Sequence, residues 1–382
     1  MFKVIVAQSE DPDSQSAIAE ILQHCHTDLA GLMPQAGLLF AGIEHDHALV
    51  LQQICQTFPD IELIGCTTDG ELSSQLGFQQ DSLVLTLFCS DQIQIRAGVG
   101  RELGRDAIAA AQAALQQVQL DQPARLCLAL PDGTTFNGER GLRALQTLLG
   151  EEFPIFGGMA ADAAAFTCSK QFYKTEVLQD AMPILLLAGD ALRFSYGVAA
   201  GWQPISTAGR VTKVAPNLVH EIDHKPALEF YRQNTGGLDP SPEHPVAVFN
   251  ANQSDFFLRA FVKFDEDTGT IHCFADVPLD AKVQVSTASR SDILTASKLS
   301  AQQALESYPG SQPAAAIVFT CNCRRRMLGS RIAEEYQIIQ ACLPTGTACS
   351  GFYTYGELSP LREGGPTQVH HITVVTLLLG TQ

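Results

Sequence analysis

A nine-residue pattern occurs twice in the chain. Gly65-Cys66-Thr67-Thr68-Asp69-Gly70-Glu71-Leu72-Ser73 and Gly351-Phe352-Tyr353-Thr354-Tyr355-Gly356-Glu357-Leu358-Ser359 share the skeleton Gly-x4-Gly-Glu-Leu-Ser. Glycines let a backbone take unusual conformations and approach a ligand closely. Each copy also carries one carboxylate, Glu71 or Glu357, able to bind an amine or hold an arginine. Tyr353 and Tyr355 add aromatic walls with polar tips to the second copy. The glycine spacing is shared with phosphate loops, but the Lys-Ser/Thr that touches the phosphates is missing, so nucleotide binding is not supported. The plainer alternative for both copies is a tight turn between strands with a solvated glutamate.

Other chemistry is sparse. Cys321-Asn322-Cys323-Arg324 follows a strand-like run, where pockets of open sheets lie. Neighbouring arginines favour a thiolate, and the planar fork of Arg324 suits a carboxylate. Two cysteines do not complete a zinc or iron–sulfur site, and Cys66, Cys168 and Cys349 could join them only if the duplicated loops meet. The alternative is a buried Cys321 beside an exposed Cys323. Among ten histidines, His45-Asp46-His47 reads as a helix start with Asp46 as cap and two surface imidazoles. Residues 218–222 read as a strand, so only one of His220 and His224 is expected to face inward. There is no HExxH, zinc-finger spacing, GxSxG, dinucleotide fingerprint or Cys-x-x-Cys-His. The turn at Asp132-Gly133-Thr134-Thr135 has no evident catalytic partner, and the chain reads as a non-enzyme.

The bulk composition sets wider limits. The 382 residues, 46% apolar and 17% charged, suffice for two domains. A net charge of -17, with Arg324-Arg325-Arg326 as the only basic cluster, argues against a nucleic-acid partner. No run approaches the roughly 18 apolar residues of a membrane span. The N-terminus opens into a strand-like run without a signal-peptide core, so a cytoplasmic protein without membrane attachment is expected. Eleven cysteines without framework spacing suit a reducing compartment, most of them as small buried hydrophobes.

Three times the sequence runs strand, helix, strand, glycine. Residues 36–41, 47–58 and 61–64 lead into Gly65; residues 126–130, 137–149 and 153–156 into Gly157; residues 316–320, 330–342 and 347–350 into Gly351. Longer strands follow at 82–88, 93–99, 184–188, 192–198 and 369–377. The Gly/Pro/Ser-rich stretch at 203–209 reads as a boundary between domains 1–203 and 204–382. The expected fold is α/β: two related domains with mixed sheets and repeated strand–helix–strand units.

On residues 64–71, 217–231, 321–326 and 351–357 the chain resembles the FIST family, in which FIST N and FIST C domains lie in tandem. The resemblance covers roughly residues 25–380, and its specific block is 351–357. It implies a bacterial sensory module for a small ligand. Some stand-alone members, of the NosP type, bind haem b, sense nitric oxide and act on histidine kinases. The chain carries no kinase, cyclase, methyl-accepting or DNA-binding segment and is similar to that kind. Two positions depart from the family pattern: His224 replaces a usual glycine, and His371 a usual asparagine. With His220 they are the alternative candidates for a haem ligand, and drift is the plainer reading. The implied ligand site uses Gly351, Tyr353, Tyr355, Glu357 and Arg324, with Cys66, Thr67 and Glu71 from the first loop. Its output would go to a histidine kinase or another signalling enzyme. The alternative is a small organic ligand such as an amino acid, without haem.

Overall fold

The recurring unit is set by strands buried on both faces. Ala36–Ala41 and Ala315–Cys321 have no exposed residue, and Ala124–Ala129 is buried over its last four. Such strands need cover on both sides, which parallel pairing with a helical crossover supplies. Each pairs in parallel with the strand beyond the next helix: Glu62–Thr67, Ala348–Thr354 and Ile155–Gly158 respectively. The crossing helices include His47–Thr57, Gly138–Leu149 and Ile332–Cys342. Asp46 caps the first by accepting from the Leu49 amide.

The structure, a computed structural model, describes residues 1–135, 137–249 and 256–381. It is mixed α/β with four sheets. The first three sheets share one strand order. It runs Phe2–Ser9, Leu83–Ser90, Ala36–Ala41, Glu62–Thr67 in the first. In the second it runs Gln94–Arg101, Ala181–Ala188, Ala124–Ala129, Ile155–Gly158. In the third it runs Arg193–Ala199, Val374–Gly380, Ala315–Cys321, Ala348–Thr354.

Each sheet is completed by a hairpin from a different unit. Gln171–Tyr173 with Glu176–Leu178 finishes the first sheet, Glu357–Pro360 with Thr367–His370 the second, and Glu71–Ser73 with Gly77–Gln79 the third. This cyclic exchange gives an approximate threefold arrangement. The inner faces share one apolar core that includes Phe40, Leu128, Phe156, Phe319 and Phe352. A fourth sheet of nine strands is inserted in the third unit and covers the helix Ala227–Thr235. The stretch read as a linker contributes strands there, since Gln203–Pro204 and Gly209–Ala215 pair with Lys282–Thr287. No helix among the described residues is long and apolar enough to cross a membrane.

The glycine ending each unit has one physical cause. A Cβ on Gly65, Gly157 or Gly351 would lie 2.2, 1.9 or 2.2 Å from the carbonyl oxygen of Leu39, Ala129 or Val318 on the parallel neighbour. Only a residue without a side chain fits that approach.

Candidate functional site

The two copies of the repeat meet. Glu71 pairs with Phe352 and Leu72 with Gly351. The Asp69 amide donates to the Tyr353 carbonyl at 2.9 Å, and the Tyr353 amide to the Gly70 carbonyl at 2.8 Å. The second unit's counterpart completes a ring: the Met159 amide donates to Gly356 at 2.9 Å and the Ala161 amide to Thr67 at 2.8 Å. Three loops thus join at the C-terminal ends of the parallel strands.

Neither glutamate of the repeat is solvated. Glu71 is fully buried and accepts from the Thr68 hydroxyl, from the Ser82 amide at 3.0 Å and from the Ser82 hydroxyl at 2.7 Å. Burial raises its pKa to about 7 against the pull of these donors. Glu357 is fully buried too, accepting from the Thr373 amide at 3.1 Å and hydroxyl at 2.6 Å. Its other oxygen has no partner, and burial drives its pKa well above the carboxylate range. Cys66 is sealed in the core, with its thiol pKa pushed far up by burial. The Thr67 hydroxyl accepts from the Lys170 amide at 2.9 Å. Gly351, Cys66, Thr67 and Glu71, expected to contact ligand, therefore hold strand ends together and present no open surface.

Glu71 sets a pH dependence. Its folded pKa of about 7 lies above the ordinary 4.5, so the folded state binds this proton more tightly. Stability from this group is full below about pH 4.5 and is lost as pH rises through about 7, by roughly 3 kcal/mol. Glu71→Gln, which mimics the neutral acid, should flatten that decline in urea titrations run from pH 4.5 to 8. An unchanged slope would refute the assignment.

The arginines reverse the expectation. Arg324 is fully buried. Its Nε and Nη2 donate to Glu335 at 2.9 and 2.6 Å, Nη1 to the Ala200 carbonyl at 2.6 Å, and Nη2 also to the Ile293 carbonyl and the Ser297 hydroxyl. Glu335 also receives the Tyr353 hydroxyl. Arg324 and Tyr353 are thus committed to an internal network, with the guanidinium sealed from solvent.

Arg325 turns the other way. It donates to the Asp69 carbonyl at 2.7 Å and pairs with the Asp69 carboxylate, while its side chain stays 19% exposed. Asp69 is 1% exposed, and its Oδ2 lacks a well-formed hydrogen bond. Burial raises the Asp69 pKa, opposed by Arg325 and Asn322. Asn322 is 3% exposed, and its amide nitrogen lacks one too. Tyr355 borders this spot and donates to Asp162. Burial pushes the Asp162 pKa up, but the donors from Tyr355 and the backbone of residues 166–168 prevail and hold it low. Phe166 stacks on Tyr355 with ring centroids 4.3 Å apart. Sequence reasoning missed Asp69, Asn322 and Arg325 as a group. The available signal was the fifth position of the repeat, which is Asp69 in one copy and Tyr355 in the other.

The histidines separate. His220 and His224 line the same open cleft of about 460 Å³, together with His272. His220 is half-buried, whereas His224 is exposed in a turn at φ +62 beyond the strand Leu218–Ile222, so no second imidazole of the pair turns into the interior. The other walls include Lys213, Glu221, Asp265, Thr268 and Thr270. Haem needs an enclosed apolar slot for its macrocycle, and this open cleft sets charged and hydroxyl side chains beside Leu218 and Pro226. His371 is buried 5.7 Å from the Phe274 ring, its Nδ1 unpaired. Burial, aided by Arg259 and His370, drives its pKa well below the ordinary value, so it is neutral. His45 and His47, expected at the surface, are buried, as is Cys323. Among the described residues no three His, Cys, Asp or Glu side chains are grouped to hold a metal ion.

Comparison with known proteins agrees with this architecture. Residues 35–225 match the FIST N domain and residues 227–360 the FIST C domain. The chain belongs to the FIST family, whose domains are associated with signal-transduction sensing of small ligands. An uncharacterised protein of Mycobacterium bovis is 26% identical over 385 residues, covering 95% of each chain. One from Mycobacterium tuberculosis is 24% identical over 393 residues, covering 97% of this chain and 98% of its own. A cyanuric acid hydrolase structure from A. caulinodans aligns over 99% of both chains at 9% identity and a TM-score of 0.37, too low to bear on function.

Proposed function

We propose that this protein is a cytoplasmic sensor of a small zwitterion of the amino-acid class, held where Asp69, Asn322 and Arg325 meet. It would pass its state to a separate signalling enzyme such as a histidine kinase. One observation carries the reading: Asp69 and Asn322 are almost wholly buried and their side chains interact, yet Asp69 Oδ2 and Asn322 Nδ2 lack a well-formed hydrogen bond, beside a guanidinium that retains exposure. A buried polar atom left wholly without a partner costs about 1–3 kcal/mol, and imperfect pairing carries part of that cost. An ammonium at Asp69 and a carboxylate shared by Arg325 and Asn322 would remove that cost. A sensor also needs two states of different affinity. The segment bearing Phe166 suits that need, because Ala163, Ala164 and Phe166 all hold positive φ, a strained conformation for residues with side chains.

A thermal-shift screen of the common amino acids tests the reading, with calorimetry on any hit. A true ligand at about 100 times its Kd should add about 2.7 kcal/mol. Asp69→Asn and Arg325→Ala should abolish the shift. No hit, or a shift unaffected by either variant, rejects the proposal. Protein produced with ample iron should be colourless. A Soret band that moves with nitric oxide and disappears in a combined His220, His224 and His371→Ala variant would put haem in place of the amino acid.

A further inference from the structure

The three related sheets meet along three seams, each beginning at an edge strand. Phe2–Ser9 packs against Ala348–Thr354 and Glu71–Ser73, and Gln94–Arg101 against Glu62–Thr67 and Gln171–Tyr173. The equivalent third seam sets Arg193–Ala199 against the second sheet. At its floor Phe156 lies 4.9 Å from the Tyr196 ring and 6.3 Å from that of Phe194. Above this floor the seam opens into a cleft of about 970 Å³. A further hollow of about 360 Å³ continues it to Gln203, the two sharing Val198 and Leu361. The groove follows the strand direction for some ten residues, roughly 30 Å at strand spacing.

Of the three seams, this one stands open beside its edge strand. Among the described residues, Arg193–Ala199 pairs with Val374–Gly380 and with no strand on its other side. In an antiparallel pair every second residue turns its N–H and C=O away from the partner. Such a row of groups is a template for another chain. The Tyr196 hydroxyl on the same strand is buried without a partner. Leu299 and Leu361, 46% and 39% exposed, form an apolar rim.

We propose that this groove receives an extended peptide segment of a partner protein, which adds a strand to the free edge of Arg193–Ala199. Only a polypeptide backbone offers alternating donors and acceptors at this spacing over this length. Lining arginines 125, 193 and 362 are matched by glutamates 152, 306 and 363, so the groove selects no strongly charged small molecule. The segment would place alternate apolar side chains between Leu361 and Leu299. The proposal supplies a docking mode for the partner in the sensor reading, and it holds even if Asp69 and Arg325 bind nothing.

The test uses the full chain without added ligand. A random display library of peptides about twelve residues long is selected on the protein, and the tightest binder is synthesised. Binding with Kd below about 100 μM is expected, together with slowed amide exchange across residues 193–199. N-methylation of alternate peptide residues should abolish binding in one set and spare it in the other. Leu361→Glu and Leu299→Glu, both at exposed positions, should weaken binding about tenfold while leaving the far-UV circular dichroism unchanged. A library without such a binder, protection elsewhere on the protein, or equal effects of both methylation sets would overturn the proposal.

Discussion

Replacing Arg324 with alanine will destabilise the protein by about 3–5 kcal/mol, because it leaves Glu335 charged in the interior without its cation. Both side chains of this pair are fully buried. Glu335 gathers Arg324, Ser297, Thr320 and Tyr353, tying the helix Ile332–Cys342 to the helix Arg290–Glu306 and to two strands of the third sheet. Arg324→Lys should recover little, since one ammonium cannot replace a fork that reaches Glu335, Ala200 and Ile293 together. Arg325→Ala should cost less, because the part-exposed guanidinium leaves a site that water can enter beside Asp69, whose pKa burial already raises. Urea denaturation followed by circular dichroism measures the difference. Equal losses for the two alanine variants would refute the internal role of Arg324.

Alanine at Gly65, Gly157 or Gly351 should be nearly as damaging in each case. The new methyl carbon would sit about 2 Å from a carbonyl oxygen of the parallel neighbour, well inside contact distance. Overpacking costs about 1–3 kcal/mol where side chains can move aside. Here the obstacle is backbone, so the strands must separate, and losses at or above the top of that range are expected. Soluble yield and denaturation midpoints of the three variants provide the check. Any variant within about 0.5 kcal/mol of wild type would show that its strand pair tolerates separation and that the shared cause is wrong.

Much of the fold was legible because its causes are local. Apolar runs mark the doubly covered strands, Asp46 marks a helix start, and Gly65, Gly157 and Gly351 mark the close strand approach. The helices expected at 47–58, 137–149 and 330–342 lie within two residues of those observed. The meeting of the repeated loops was legible for the same reason, since related units place related turns at related ends. The exchange of hairpins was not, because nothing in Glu71-Leu72-Ser73 says which sheet it will join.

The candidate site divides along the same line. By itself the sequence determined the recurring unit, its terminal glycines, the family, and the neighbourhood of residues 66–71 and 321–326. It could not decide between adjacent Arg324 and Arg325, which share composition and context. Tertiary structure decided that choice: Glu335 receives one guanidinium, while Asp69 from a distant unit receives the other. It likewise turned Glu71 and Glu357 inward and left Asp69 and Asn322 imperfectly paired. Apolar patterning is read from near neighbours along the chain. Whether a polar atom is satisfied depends on partners tens or hundreds of residues away, which only the assembled fold brings within hydrogen-bond reach.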